Sequence, residues 1–121
     1  MVKALLDTNI LVDYLNAVPE ARTELERYSE KALSIITWME VMVGAGREIE
    51  AATRRFLDSF DVVGVDQQIA ECAVGLRRGN GIKLPDAVIW ATAQTRSMLL
   101  VTRNTKDFPE GDPGIRTPYK L

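Results

Sequence analysis

Short apolar segments alternate with helical segments along this chain, and this alternation constrains the fold more than any other feature. Val2 to Leu6, ALSII and MLLVT are each mainly apolar, which is typical of strands covered on both faces of a sheet. Pro19 and Pro85 stand where helical segments begin, because proline is tolerated in the first turn of a helix. Strands that alternate with helices predict an α/β fold built on a parallel sheet.

The remaining boundaries follow from capping residues, turn residues and hydrophobic periodicity. The WMEVMVGAG segment is apolar around its whole circumference, so a buried helix is expected there. The other predicted elements are a helix from near Ile10, a helix capped by Thr37 with its end marked by Gly44 and Gly46, a helix over Glu48 to Ser59, a strand in FDVVGV, a helix capped by Asp66 and running to about Arg77, a loop in RRGNGIKL, and a short edge strand at Ile115 to Thr117.

Length and composition favour one globular domain over residues 1–121. The chain has 121 residues, of which 46% are apolar and 26% are charged, and this balance suits a single hydrophobic core. The apolar run around Leu5 to Leu15 is interrupted by polar and charged residues, and the first residues lack a signal-peptide pattern. A cytoplasmic protein without membrane association is therefore expected.

The chain lacks histidine and has a single cysteine, Cys72, which excludes large classes of chemistry. Histidine is the commonest general base and the commonest ligand of transition metals, and one thiol cannot form a disulfide or a thiolate cluster within the chain. Cys72 shares helical spacing with apolar residues, so a core position is expected. Any bound metal must be held by oxygen atoms. The net charge of −2 counts mildly against a polyanion partner but allows a local basic patch.

Several carboxylates occupy positions at which function competes with ordinary structural roles. Asp7 follows the first strand and Asp86 lies in the first turn of a helix, and aspartate also caps or stabilises helix starts at such positions. Glu40 is the only charge in its predicted helix, and a buried, unpaired glutamate requires neutralisation by an arginine or a cation. Asp13 lies on a different helix face from Asp7, so solvent exposure is expected for it.

Considered together, these acids favour a functional site, because open parallel sheets bind ligands at the carboxyl ends of their strands. Asp7 and the turn from Asn104 to Asp107 follow strands, while Glu40 and Asp86 lie near helix starts, so one edge of the sheet could collect them. Carboxylates that lie close together raise one another's pKa, and hard divalent cations resolve that conflict. The sequence therefore predicts a Mg²⁺ or Mn²⁺ site suited to phosphate chemistry.

Four motifs, DTNILVDYL, ITWMEV, PDAVIWATA and LVTRNTKDF, follow one another in this order and resemble the PIN-domain ribonucleases, specifically the VapC-type toxins of type II toxin–antitoxin systems. The resemblance covers essentially the whole chain. It implies a three-layer α/β/α sandwich around a mainly parallel sheet of four to five strands. It also implies a Mg²⁺- or Mn²⁺-dependent endoribonuclease that hydrolyses RNA with a metal-activated water, forms a homodimer, and enters a larger assembly with a cognate antitoxin that inhibits it.

The resemblance also assigns roles to residues. Asp7, Glu40 and Asp86 match the first three acidic positions of the family, where they act as catalytic metal ligands. Family members often carry an acid directly after the TR pair, where this chain has Asn104, so Asp107 is the expected fourth ligand and Asn104 the alternative. The residues expected to support these ligands by hydrogen bonds are Thr8, Asn9, Thr37 and Thr102. The residues expected to contact the RNA backbone are Arg77, Arg78, Lys83, Arg103 and Lys106.

Three other classes of protein share parts of this pattern. A receiver-type signalling domain needs paired acids after its first strand and a phosphoacceptor aspartate after its third, but Asp7 has no acidic neighbour and Asp66 fits poorly. A haloacid-dehalogenase-type phosphatase needs Asp-x-Asp, and Asn9 occupies the second position. A non-catalytic RNA- or protein-binding module would keep the fold without the metal, and the retention of three carboxylates speaks against it.

Overall fold

The computed structural model describes residues 2–121. Strands and helices largely alternate along them, as the sequence predicts. In chain order the elements are β1 Ala4–Leu6, α1 Thr8–Leu15, α2 Pro19–Glu26, β2 Lys31–Ser34, α3 Ile35–Gly44, α4 Glu50–Asp58, β3 Asp61–Val63, α5 Gln67–Asn80, α6 Leu84–Thr95, β4 Leu99–Val101 and β5 Ile115–Arg116.

The five strands within residues 2–121 form one parallel sheet in the order β3-β2-β1-β4-β5. β1 is the central strand, and its Leu5 pairs with Ala32 on one side and with Leu100 on the other. The chain builds outward from β1 to β2 and β3, and then returns to the far side of β1 for β4 and β5. This reversal creates a crevice at the carboxyl end of β1, which is where open parallel sheets bind ligands.

Helices cover both faces of the sheet, and each face has its own hydrophobic core. Alternate residues of a strand point to opposite faces, so Leu5 joins the cluster of Ile89 and Phe108, whereas Leu6 joins the cluster of Ile10. These side chains are almost completely buried, and each contributes roughly 2 kcal/mol to the stability of the fold. The arrangement confirms the predicted three-layer α/β/α sandwich.

Thr37 does not cap α3, contrary to the prediction. The helix follows β2 without a loop, and Ser34 caps it by accepting a hydrogen bond from the backbone nitrogen of Ile36 at 3.1 Å. Thr37 therefore lies in the first helical turn, where it is fully buried. Because Ser34 caps the helix, the Thr37 hydroxyl is free to approach Thr8 at the start of α1.

The apolar helix α3 is not buried on all sides, which corrects a second prediction. Thr37 and Val41 are buried, but Met39 is 44% exposed and Val43 is 87% exposed. The helix contacts α1, α4, α6 and the sheet with its inner side. The helix is apolar on all sides, but only its inner side lies in the core. Its outer side leaves apolar residues exposed to solvent.

Helix α5 is longer than predicted, because it continues through Gly79 and Asn80. It ends at Gly81, whose φ of 68° lies in the left-handed region that glycine adopts without strain. Asn80 Nδ2 donates to the carbonyl oxygen of Leu76 at 3.1 Å, so the Gly-Asn-Gly sequence closes a helix instead of forming a loop. Cys72 is partly buried against the core. Like the other helices within residues 2–121, α5 lacks the combination of length and apolar character that a membrane crossing requires.

Candidate active site

Asp7 is the most firmly held carboxylate of the candidate site. It follows β1 directly and caps α1, with Oδ1 accepting from the backbone nitrogen of Thr8 at 2.8 Å. Its Oδ2 accepts from Thr102 Oγ1 at 2.7 Å and from Asn9 Nδ2 at 3.0 Å. Only 4% of Asp7 is exposed. Three donors thus fix both carboxylate oxygens at the carboxyl end of the central strand.

Thr102 and Asn9 join the loop after β4 to the start of α1. Thr102 Oγ1 accepts from Asn9 Nδ2 at 3.3 Å and from the backbone nitrogen of Asn104 at 3.0 Å. The backbone nitrogen of Arg103 donates to Asn9 Oδ1 at 3.1 Å. Parallel pairing of β1 with β4 brings these distant segments of the sequence together. The structure therefore places Asn9 and Thr102 between Asp7 and the loop after β4.

Glu40 lies on α3 next to Thr8, and its carboxylate is exposed, contrary to the prediction of a buried glutamate. Thr8 Oγ1 donates to Glu40 Oε1 at 2.6 Å and lies 3.2 Å from Thr37 Oγ1. Because α3 leaves its outer side uncovered, water solvates the Glu40 charge and burial does not demand a counter-ion. The bond from Thr8 nevertheless holds the Glu40 carboxylate near the start of α1.

Asp86 occupies the first turn of α6, directly after Pro85. The start of a helix stabilises a negative charge through the unpaired backbone N–H groups there. Asp86 is partly buried, and within residues 2–121 its carboxylate makes no hydrogen bond and no ion pair. Both carboxylate oxygens are therefore available to a ligand, and the charges of Asp107 and Glu40 act on this carboxylate.

Asn104 and Asp107 form a closed turn after β4. The side-chain oxygen of Asn104 is used within this turn, whereas Asp107 keeps one carboxylate oxygen without a hydrogen bond among residues 2–121. Asn104 Oδ1 accepts from the backbone nitrogens of Lys106 and Asp107, each at 3.2 Å. Asn104 Nδ2 donates to Asp107 Oδ2 at 2.9 Å. The amide oxygen of Asn104 is thus occupied by backbone donors, whereas Asp107 is oriented by the amide nitrogen.

The four carboxylates act on one another electrostatically. Burial raises the pKa of Asp7 to about 6, hydrogen bonds from Thr102 and Thr8 oppose the rise, and the charges of Asp86 and Glu40 add to it. Burial is also the main cause of the raised pKa of Asp86; the charges of Asp107 and Glu40 raise it further, and Lys83 lowers it. No ion pair within residues 2–121 involves any of the four acids. The end of β1 therefore carries an unneutralised group of negative charges, defined here as the acidic site of Asp7, Glu40, Asp86 and Asp107.

The acidic site suits a hydrated hard cation better than a fully protein-coordinated one. In the described part of the chain, no three carboxylate or thiol residues stand close enough to hold one ion together. Mg²⁺ typically binds through one or two carboxylates and keeps several waters. The donor set, with oxygen ligands only and gaps between them, fits that mode of binding.

The cations expected to contact RNA fall into two groups. Arg77 and Arg103 are engaged within the protein: a guanidinium nitrogen of Arg77 donates to the carbonyl oxygen of Ile82, and Arg103 pairs with Asp13. The other three, Arg78, Lys83 and Lys106, are exposed and form no ion pair and no side-chain hydrogen bond among residues 2–121. The second group is therefore free to meet a polyanion, whereas the first group already has structural partners.

Asp13 is buried, and the prediction of solvent exposure is wrong. Only 5% of the residue is exposed. It accepts from Arg103 Nε at 2.8 Å, from Arg103 Nη2 at 3.0 Å and from Tyr119 OH at 2.8 Å. The arginine and the tyrosine stand 90 and 106 residues further along the chain. No local pattern signals such a distant pairing, and helical geometry alone cannot separate a solvated aspartate from a paired one.

Asp66 has a structural role that argues against a receiver domain. One carboxylate oxygen accepts from the backbone nitrogen of Ile69 at 2.8 Å and caps α5, and the other pairs with Arg96. Asn9 likewise supports Asp7 and supplies no second carboxylate at the end of β1. The structure therefore lacks, within residues 2–121, the phosphoacceptor arrangement of receivers and the Asp-x-Asp pair of phosphatases.

The fold and the acidic site together define an α/β domain of the PIN class. The PIN domain family matches residues 4–112, a range that includes all six helices and the first four strands. The chain belongs to this family. PIN-domain nucleases generally use divalent metals, which agrees with an acidic site made of oxygen ligands alone.

The similarity to known proteins extends over the whole sandwich. The chain is 30% identical to the tRNA(fMet)-specific endonuclease VapC of Salmonella typhimurium, over 96% of each chain. A chain from a toxin–antitoxin complex of Klebsiella pneumoniae is 50% identical with a TM-score of 0.94, over 98% of this chain and 100% of that one. A chain from the DNA-bound VapBC of Salmonella typhimurium is 28% identical with a TM-score of 0.77, over 96% of each.

Proposed function

We propose that this protein is a divalent-metal-dependent endoribonuclease that acts as the toxin of a toxin–antitoxin pair. The observation that carries the proposal is the acidic site, in which none of the four carboxylates forms an ion pair within residues 2–121 and the charges of Asp86 and Glu40 act on Asp7. Burial of an unpaired carboxylate costs free energy and raises its pKa, so Asp7 and Asp86 weaken the metal-free fold. A site that binds a hard cation and a phosphodiester explains why such an arrangement is kept.

The residues that would hold Mg²⁺ or Mn²⁺ are the four acids of the acidic site, in direct contact or through water. When bound, such an ion offsets the charge of a phosphate and lowers the pKa of a water ligand. Asp7 is the anchor, because three donors fix its oxygens. Thr8 orients Glu40, while Asn9 and Thr102 hold Asp7. Thr37 supports Thr8 from the first turn of α3.

Asp107 is the proposed fourth acid, and Asn104 is the residue that positions it. The amide oxygen of Asn104 already accepts two backbone hydrogen bonds, so its use as a ligand would break the turn. The amide nitrogen donates to Asp107, and the charge of Asp107 acts on Asp86. Both observations support Asp107 over Asn104.

The proposed substrate is RNA, whose phosphates would be contacted by the exposed cations Arg78, Lys83 and Lys106. These side chains are exposed and can contact phosphates, a role that sets the position of RNA without reading its sequence. Arg77 and Arg103 would contribute mainly through the loops that they brace. The Salmonella relative is named a tRNA(fMet)-specific endonuclease, so tRNA(fMet) is the first substrate to test.

The proposed partners are a cognate antitoxin and a second copy of the chain. Solved relatives come from toxin–antitoxin complexes, one of them bound to DNA, which supports a larger assembly that contains the antitoxin. The outer side of α3 leaves Met39 and Val43 exposed, and an apolar patch of this kind marks an interaction surface. RNA as the substrate implies action in the cytoplasm.

A cleavage assay with isosteric variants tests the proposed activity. Purified protein is incubated with tRNA(fMet) and other structured RNAs in Mg²⁺, in Mn²⁺ and in EDTA. Cleavage should require the metal, and Asp7→Asn should lower it by more than the roughly 100-fold that loss of a ligand's hydrogen-bond partner costs. Asp58→Asn is the matched control, because Asp58 is an exposed aspartate at the end of α4.

Two results would contradict the proposal. Cleavage in EDTA at the rate seen in Mg²⁺, or equal cleavage by wild type and Asp7→Asn, would remove the acidic site from the chemistry. Binding of RNA without cleavage under any metal condition would favour the non-catalytic module instead.

A further inference from the structure

Asp13, Arg103 and Tyr119 form a second polar group behind the acidic site, defined here as the Asp13 clamp. Asp13 is on α1, Arg103 is in the loop after β4, and Tyr119 is near the end of the chain. Both nitrogens of the Arg103 fork reach the Asp13 carboxylate, and the Tyr119 hydroxyl donates to the same carboxylate. The Asp13 clamp thus binds three segments that are far apart in sequence.

The Asp13 clamp continues into the acidic site through the backbone of Arg103. The Arg103 backbone nitrogen donates to Asn9 Oδ1, and Asn9 Nδ2 donates to Asp7 Oδ2. The residue before Arg103 is Thr102, which also donates to Asp7. When the guanidinium is fixed by Asp13, this stretch of backbone is fixed as well, and with it the donors that hold Asp7.

The same loop controls the other end of the acidic site. The residue after Arg103 is Asn104, whose side chain holds Asp107. The side chains of three consecutive residues, 102 to 104, therefore donate hydrogen bonds to Asp7, Asp13 and Asp107 in that order. A shift of the loop would move the donors of both acids together, because one short backbone segment carries them.

We propose that the Asp13 clamp is a positioning group that sets the affinity of the acidic site for a divalent cation. This inference rests on the proposed function, because it concerns the metal that the function requires. Asp13 acts through Arg103 and Asn9 and does not touch the ion or the RNA. Tyr119 makes the last residues of the chain part of the same group.

Glu24 provides a matched control elsewhere in the molecule. It is buried to the same degree as Asp13 and accepts from Arg116 Nε at 2.7 Å, from Arg116 Nη2 at 3.1 Å and from Tyr28 OH at 2.6 Å. Each group thus pairs one buried acid with an arginine fork and a tyrosine hydroxyl. Within residues 2–121 the Glu24 group meets the residues that hold the acidic site only in the sheet, where the backbone nitrogen of Thr102 donates to the carbonyl oxygen of Arg116 at 3.0 Å. Pairing of β4 with β5 fixes that bond, and it does not involve the Glu24 carboxylate.

The test compares Mn²⁺ binding and thermal unfolding in wild type, Asp13→Asn, Tyr119→Phe and Glu24→Gln. Mn²⁺ affinity is measured by electron paramagnetic resonance on the full chain without RNA. Asp13→Asn should weaken Mn²⁺ binding by roughly 3- to 10-fold, less than the 10- to 100-fold typical of a group that touches a ligand directly. Tyr119→Phe should weaken it by about twofold. Glu24→Gln should lower the melting temperature and leave Mn²⁺ affinity unchanged.

The outcomes separate this inference from the proposed function. Wild-type affinity in folded Asp13→Asn overturns the role of the Asp13 clamp, and so does an equal loss of affinity in Glu24→Gln. If Asp13→Asn does not fold, Arg103→Lys decides: it keeps the charge but loses the two-pronged bond, and an unchanged Mn²⁺ affinity overturns the inference. Absence of Mn²⁺ binding in wild type contradicts the proposed function itself.

Discussion

Asp7 and Glu24 are almost equally buried, with 4% and 3% of each residue exposed, yet the protein treats their charges in opposite ways. Burial opposes ionisation of Glu24, but hydrogen bonds from Arg116 and Tyr28 outweigh it and lower the pKa of Glu24. Asp7 has no cationic partner within residues 2–121, and burial raises its pKa to about 6 despite the hydrogen bonds that it accepts. The paired acid stabilises the fold, whereas the buried, unpaired acid at a strand end is a candidate ligand of the proposed site.

The difference has a cost in stability. A folded-state pKa near 6 instead of 3.8 for Asp7 corresponds to about 3 kcal/mol at neutral pH. Glu24 contributes in the opposite direction, because its ionised form is favoured in the folded state. The metal-free acidic site is therefore a weak region inside an otherwise well-satisfied structure, and a bound cation would relieve the weakness.

Loss of the Glu24 charge should produce the largest change in stability. Glu24→Gln leaves Arg116 without its counter-ion, and breaking one side of a buried ion pair typically costs about 3–5 kcal/mol. Because Arg116 can reach water, we expect the lower end, about 3 kcal/mol, in urea unfolding. RNA cleavage per folded molecule should stay within roughly twofold of wild type. If Glu24→Gln is as stable as wild type but has lost cleavage, Glu24 serves the site and not the fold, which contradicts the comparison.

The pH dependence of stability should separate the two acids by sign. The contribution of Asp7 is fully present below its unfolded pKa of 3.8 and is lost as the pH rises through about 6, because its folded-state pKa is raised. The contribution of Glu24 is present above its unfolded pKa of 4.5 and is lost as the pH falls, because its folded-state pKa is lowered. Urea unfolding in EDTA across this range measures both.

The variants identify the source of each pH dependence. In Asp7→Asn the loss of stability as the pH rises from the unfolded pKa of 3.8 to the folded pKa of about 6 should shrink. In Glu24→Gln the loss on the acid side should shrink instead. Profiles of both variants that run parallel to the wild-type profile would show that neither carboxylate causes the dependence.

Removal of a supporting hydroxyl should weaken the acidic site without adding or removing charge. Thr102→Val deletes the donor at 2.7 Å from Asp7 Oδ2, so the pKa of Asp7 should rise further and cleavage should fall by roughly 10- to 100-fold. Thr92→Val is the control, because Thr92 is equally buried but donates to a backbone carbonyl within α6. Equal losses of cleavage in both variants would point to general loosening of the core.

The smallest predicted loss of cleavage concerns Asn104. Asn104→Ala removes the donor to Asp107 and opens the turn, and cleavage should fall by about 10-fold. Asp107→Asn should reduce cleavage more strongly, because it removes the carboxylate itself. If Asn104→Ala proves far more damaging than Asp107→Asn, Asn104 is the ligand and Asp107 its support.

Local signals in the sequence predicted most of the fold. The short apolar runs indicated β1, β2 and β4, and Pro19, Pro85 and Asp66 marked helix starts that the structure confirms. These signals succeed because they depend on neighbouring residues. The open side of α3 was not predictable in the same way, because an apolar surface looks alike whether the chain or a partner covers it.

The acidic site divides along the same line. Asp7 and Asp86 stand at a strand end and a helix start, so the predicted topology was enough to make them candidate site residues. The exposure of Glu40, the pairing of Asp13 and the turn closed by Asn104 depend on contacts between segments far apart in sequence or on side-chain orientation. A single sequence gives the residues but does not show which distant residues each of them contacts in the folded protein.

Thermal unfolding with and without Mn²⁺ tests most directly whether the unpaired acids form a cation site. Wild type and Asp7→Asn are unfolded in EDTA and in saturating MnCl₂ at neutral pH. Mn²⁺ should raise the melting temperature of wild type by several degrees, as expected for a ligand that binds only the folded state, and should have little effect on Asp7→Asn. Equal shifts in the two proteins, or none in wild type, would contradict a cation site centred on Asp7.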